Sequence, residues 1–212
     1  MDAPAPRLLT VEETLARHGG GHGYVFAYGS LMWRPDFPHT CVQPARMAGV
    51  HRAPCVLSHV HRGTPERPGI VFGLDRGGSC NGLAYEVAGD DMGEVLSRLR
   101  ARELVTHVYR ERLRPMRLAD GRAVEGVVYL VDRTHPQYAG RLCLDALLAR
   151  IRGSVGRSGP NEEYVTQTAR RMARLGIRDR LIEDLARALE DQSQMSPITE
   201  AGPAGPSSRR WT

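Results

Sequence analysis

YVFAYGSLMWRPDFP, residues 24–38, decides how the rest of the chain is read. Tyr24, Val25, Phe26, Ala27 and Tyr28 are β-friendly and mostly apolar, which predicts a buried strand. Gly29-Ser30 stops it. Leu31, Met32 and Trp33 follow at once and are too apolar for a solvated turn. Bare backbone at a strand end, walled by large side chains, makes Gly29-Ser30 a candidate anion site built from main-chain amides.

Upstream of that strand, Thr10 to Arg17 fits a short helix, with Thr10 and Glu13 spaced as a capping box. A glycine-rich run, residues 19–23, ends it. Downstream, residues 45–60 read as one or two strands and 61–69 (HRGTPERPG) as a loop set by its prolines and glycines. Residues 70–74 and 82–87 read as strands, with a turn at 75–81 (DRGGSCN). Residues 91–105 switch to helical spacing, with Met92, Val95, Leu96 and Leu99 on one face. Residues 108–118 and 122–131 form a hairpin around Ala119-Asp120-Gly121, and the nearly all-apolar second arm predicts a central strand. Helices are expected over 142–152, 161–175 and 177–190, the second opened by Asn161 as N-cap. Strands first and helices late predict an α+β fold with a mixed sheet or small barrel. The expected organisation is an extension over 1–23 with a short helix, one domain over 24–191, and a disordered tail over 192–212, where little can be buried.

Composition narrows the function classes. The 212 residues, 41% hydrophobic and 25% charged, suit one globular domain. No apolar run approaches the ~20 residues of a membrane span. The opening MDAPAPRLLTVEETLARHG lacks a signal-peptide core, which predicts a cytoplasmic protein. Cys41, Cys55, Cys80 and Cys143 show no paired spacing and are expected as free, mostly buried thiols. All the basic residues are Arg, for a net charge of +5. A lysine Schiff base or P-loop lysine is thereby excluded, and any anion must be held by Arg, amides or hydroxyls. The Arg residues are spread without aromatic interleaving, so no nucleic-acid partner is expected.

Among ionisable residues Glu103 is out of place. Four residues beyond Leu99, it extends the apolar face of the 91–105 helix. Either the helix has ended and Glu103 is solvated, or the carboxylate points at the core with its pKa raised by desolvation, as a general base requires. In the second case Arg102 faces away or pairs with another acid. Ser30 lies outside any GxSxG elbow. His59 and His61 alternate as two metal ligands could, or as an ordinary polar strand face. Arg62-Gly63-Thr64-Pro65 fits a carboxylate-holding loop or a rigid surface turn, and Arg67 shares that loop.

Four segments in order resemble the ChaC-type, glutathione-specific gamma-glutamylcyclotransferases: VFAYGSLMWRPDFP, HRGTPERPGIVFGLDRGGSCNGLAYEV, ARELVTHVY and SGPNEEYV. The resemblance runs from Tyr24 to Leu189 and implies a closed mixed β-barrel flanked by helices. It implies conversion of glutathione to 5-oxoproline and cysteinylglycine without metal or cofactor. Val25, Phe26, Ala27, Tyr28, Gly29, Ser30 and Leu31 would hold the gamma-glutamyl group, with the amides of 29–31 on its α-carboxylate. Met32 and Trp33 would wall the pocket or pack beneath it. Glu103 would be the acid/base and Tyr164 a donor to the carbonyl oxyanion; with no Lys available, Arg62 or Arg67, in the loop stiffened by Pro65 and Pro68, is expected to hold the glycine carboxylate. Tyr109 stands near a position where some members carry Tyr, and Glu162 and Glu163 are read as first-turn acids. The alternatives are a cyclotransferase for other gamma-glutamyl amino acids or amines, and a binding protein that keeps the pocket.

Overall fold

A computed structural model describes residues 7–195. The chain runs α1 (Val11–Ala16), β1 (His22–Ala27), β2 (Cys41–Ser58), β3 (Gly69–Ala88), α2 (Met92–Glu103), β4 (Tyr109–Leu118), β5 (Ala123–Val131) and α3 (Leu144–Ile151). The short strands β6 (Val155–Gly156) and β7 (Gly159–Pro160) precede α4 (Asn161–Arg174) and α5 (Arg180–Met195). The first five strands close into a barrel in the order β1-β3-β2-β4-β5, sealed where β5 pairs in parallel with β1 at Val25 and Val127. This is the mixed, helix-flanked barrel that the resemblance implies.

One expectation gives way in the long hairpin. Residues 41–58 are one strand, and the anticipated turn at 75–81 lies inside β3. The two strands stay in antiparallel register from Cys41 opposite Glu86 to Ser58 opposite Gly69, with shifts between Ala48 and Val50 and between Pro54 and Val56. Gly49, Gly77 and Gly78 take positive φ at the first shift. Glycine there lets both strands bend through a bulge without ending.

Alternation along the strands makes two cores. Tyr24, Phe26, Met47, Leu74, Met116 and Val128 pack with one another across the barrel. The alternate face, with Val25, Leu83, Tyr85, Val127 and Tyr129, takes the apolar stripes of the helices. Because β5 is covered on both faces, its sequence is nearly continuous hydrophobe. Met92, Val95, Leu96 and Leu99 are all buried, and α2 continues to Glu103, with Leu104 as C-cap. Asn161 is not an N-cap: Pro160 holds that position, and Asn161 is wholly buried in the first turn of α4. Cys55 and Cys80 are buried, but Cys41 and Cys143 are exposed. Burial pushes the Cys55 thiol up to about 12, so it is protonated at neutral pH. The helix α5 runs to Met195, past the start of the expected tail; residues 196–212 lie outside the described residues.

Candidate active site

The turn after β1 is gripped from behind. Arg52, buried, donates from Nε to the carbonyl of Tyr28 at 2.5 Å and from an Nη to that of Asn81 at 2.7 Å. Tyr85 Oη donates to the Leu31 carbonyl at 3.0 Å, and Arg171 Nε donates to that of Met32 at 3.0 Å. Trp33 Nε1 reaches Thr168 on α4 at 3.1 Å. Residues Ser30–Met32 form a single 3-10 turn, in which the Met32 amide is the first to be satisfied, by the Gly29 carbonyl at 3.0 Å. The amides of Ser30 and Leu31 precede it and have no acceptor within the turn, as at any helical N-terminus. A Cβ on Gly29 would meet Tyr164 Oη at 3.1 Å, so glycine is what lets this turn and that phenol come together.

Opposite the turn, the edge of β3 is closed by side chains instead of a strand. Ile70 donates from its amide to Asn161 Oδ1 at 2.6 Å and accepts from Nδ2 of the same residue at 2.8 Å. The Phe72 amide donates to Tyr164 Oη at 3.0 Å, and Tyr109 Oη donates to the Phe72 carbonyl at 3.0 Å. Alternate residues of β3 therefore pair with β2, while Ile70 and Phe72 are served by α4 and β4.

Between turn and edge lies a cleft of about 190 Å³ lined by Tyr28–Leu31, Trp33, Arg62, Phe72, Glu103, Tyr109, Tyr129 and Tyr164, among others. Two carboxylates line it, Asp36 and Glu103. Asp36 is claimed by Arg34 and Arg102 at the rim. The side chain of Glu103 is 18% exposed, with Arg102 Nε 3.4 Å from its Oε1. Burial raises its pKa, and the Arg102 charge opposes the rise without cancelling it. Of the two readings left open by the sequence, the inward one holds.

The four phenols around Glu103 differ in where their protons go. Tyr28 donates to the Tyr129 carbonyl at 2.9 Å, Tyr129 donates to Glu111 at 2.9 Å, and Tyr109 donates to Phe72. Tyr164 instead accepts from the Phe72 amide, and no protein acceptor among the described residues takes its proton. Burial pushes all four hydroxyls up, helped most by the Glu103 charge at Tyr28 and by the Glu111 carboxylate at Tyr129, so they remain protonated donors or acceptors.

Other sequence candidates divide. Arg62 lines the cleft with its side chain 4% exposed. It is held by the Pro160 carbonyl at 2.9 Å and Glu163 at 3.0 Å, beneath the Trp33 and Tyr164 rings. Glu163 is thus a partner of Arg62 and not merely a first-turn acid, while Glu162 accepts from the Gly153 amide at 2.6 Å. Arg67 turns away, to the Arg152 carbonyl. Val25, Phe26 and Ala27 are core residues that do not line the cleft; Trp33 is its wall and Met32 packs beneath. His59 and His61 follow the end of β2, and both ring nitrogens of His61 are engaged, with Ser158 and the Arg102 carbonyl. Burial lowers the His61 pKa. Among the described residues, no three His, Cys, Asp or Glu side chains group as metal ligands. Sequence reasoning missed Arg52 and Asn161 as supports, because their partners are main-chain atoms distant in sequence.

The model of the ChaC-like protein family matches residues 23–192. The chain belongs to the ChaC-like family. Among its ChaC-like relatives, the glutathione-specific gamma-glutamylcyclotransferase of Escherichia coli (strain K12) is 32% identical over 84% of this chain and 78% of its own. The Danio rerio glutathione-specific gamma-glutamylcyclotransferase 1 is 32% identical over 69% of this chain and 76% of its own. A solved structure of a yeast gamma-glutamyl cyclotransferase specific to glutathione shares the ChaC-like fold with a TM-score of 0.74 at 21% identity. The match covers 81% of this chain and 96% of that one. No helix among the described residues is long and apolar enough to cross a membrane.

Proposed function

We propose that the protein is a gamma-glutamylcyclotransferase that cleaves glutathione to 5-oxoproline and cysteinylglycine. The observation that carries this reading is the desolvated Glu103 carboxyl sharing one cleft with the amides of the 29–31 turn. The gamma-glutamyl α-carboxylate docks on the amides of Ser30 and Leu31, beside Gly29. That sets the α-ammonium toward Glu103, which takes one proton. The freed amine attacks the γ-carbonyl and closes a five-membered ring. Tyr164, with an unspent O–H, donates to the oxyanion. Collapse breaks the C–N bond as the departing nitrogen takes the proton held by Glu103; the carboxylate so restored strips the second proton from the ring nitrogen and passes it on, leaving neutral 5-oxoproline lactam and the ammonium of cysteinylglycine. Acid and base are one residue in turn. Holding amine against carbonyl supplies much of the rate, since oriented intramolecular reactions reach effective molarities of ~10⁵–10⁸ M.

Arg62 is the cation for the far carboxylate of the glycine residue, on the cleft side away from Glu163. The free cysteines fit a reducing compartment, the cytoplasm. The test is to incubate purified protein with glutathione and measure 5-oxoproline by mass spectrometry, beside free gamma-glutamyl amino acids and a gamma-glutamylamine. Release from glutathione above the others is the expected result. Release from none, or only from the others, refutes the assignment.

A further inference from the structure

We propose that Arg102 is a positioning residue, one guanidinium that staples the substrate-carboxylate turn to the helix end carrying the general base. The proposal rests on the cyclotransferase reading above. Arg102 lies in the last turn of α2, next to Glu103. One Nη donates to Ser30 Oγ at 2.8 Å. The other donates to the Arg34 carbonyl at 2.7 Å and to Asp36 Oδ2 at 3.2 Å. Its Nε faces Glu103 Oε1 at 3.4 Å. Its own carbonyl faces His61 Nε2 at 3.1 Å.

Four contacts to 30–36 and 103 thus come from one planar group 22% exposed. A flexible ammonium cannot reproduce that fork. Asp36 adds a reason for the staple. It sits at φ 55°, a conformation few residues adopt but Asp tolerates, and Arg34 Nε donates to its carboxylate at 3.1 Å. The segment is folded back on itself, and Arg102 holds both of its ends.

Arg102 also opposes the effect of burial on the base, its charge lying against the Glu103 carboxyl. Tyr28 from β1, Tyr109 from β4, Tyr129 from β5 and Tyr164 from α4 all surround Glu103 as neutral phenols. The 59–68 loop contributes His61, whose basicity burial lowers, and Arg62, paired through one Nη with Glu163. Arg102 is the cation in direct contact with the Glu103 carboxyl. Without it, desolvation goes unopposed and Glu103 holds its proton to higher pH.

The experiment measures kcat and KM for glutathione, as 5-oxoproline release across a pH series. It compares the parent with Arg102→Gln, Arg102→Lys and Asp36→Asn, with thermal melting of each. Arg102→Gln should raise KM about tenfold, the loss of a charge-assisted hydrogen bond at the turn. It should also move the acid limb of kcat to higher pH. Arg102→Lys should return that limb toward its parental position and leave KM raised. Asp36→Asn should raise KM with the limb in place. Parental KM and an unmoved limb in Arg102→Gln overturn the proposal, as does a limb that Lys fails to bring back. If Arg102→Gln does not fold, parental KM in both other variants overturns it. A parent that releases no 5-oxoproline overturns the activity first, and the role of Arg102 falls with it.

Discussion

Replacing Glu103 by Gln removes one ionisable group and almost no volume. Of the two carboxylates in the cleft, the other is already claimed by two arginines, so no neighbour is placed to take over the proton. General acid–base assistance is typically worth ~10²–10⁴-fold, about 2.7–5.4 kcal/mol of barrier. Turnover of glutathione should fall by at least the lower figure, while calorimetric binding survives because the amides of 30 and 31 are untouched. Stability carries a second signature. Burial raises the Glu103 carboxyl above its value in the unfolded chain. Between those two values the folded state binds the proton more tightly, so parental stability falls as pH rises through the window. Gln has no proton to lose. Its melting temperature should exceed the parent's at neutral pH and converge with it in acid. Near-parental 5-oxoproline production by Glu103→Gln would refute the mechanism, and a melting difference independent of pH would refute the desolvation argument.

Tyr164→Phe should lose ~10²–10³ in kcat, the usual cost of one oxyanion donor; Tyr109→Phe, whose proton is spent on Phe72, should lose stability and keep kcat within about tenfold. Steady-state rates beside melting curves separate the two. Arg62→Ala should raise KM for glutathione more than for gamma-glutamyl-alanine amide, which lacks the terminal carboxylate. Glu163→Gln should do the same more weakly, and Glu162→Gln should leave both substrates near parental, as competition assays would reveal. Glu111 is fully buried and receives Arg100 at both oxygens, Tyr129 and the Leu9 amide. Glu111→Ala should cost about 3 kcal/mol in urea unfolding, the low end for a broken buried pair because Arg100 is 26% exposed.

What the sequence makes legible is periodic or contiguous. The 3.6-residue stripe from Met92 to Leu99 carries on to Glu103, so helix geometry alone aims the acid inward. The hairpin at 119–121 announces itself by turn chemistry. The 75–81 stretch has the same local chemistry and is no turn, because its partner strand continues alongside it and the glycines make a bulge. Local propensity also names Asn161 a cap, when its amide is spent on a strand 91 residues earlier. Arg62 meets Glu163 across 101 residues, and nothing near either residue foretells the other. The direction of a phenol proton is less legible still: Tyr109 and Tyr164 look alike until the amide and carbonyl of Phe72 assign one to give and the other to receive.

The side-chain closure of β3 also bears on how the protein keeps to itself. Ile70-Val71-Phe72 is a short β-branched and aromatic run, the kind that recruits a strand from another chain when its outer amides and carbonyls are free. Asn161, Tyr164 and Tyr109 occupy those groups. Two of the three guards ride on α4, so any motion that lifts α4 to widen the cleft also uncovers a template for self-association. The wall of the cleft and the protection of the β3 edge therefore depend on the same helix, and a variant chosen for a looser, more permissive cleft will have to be watched in the centrifuge as closely as in the assay.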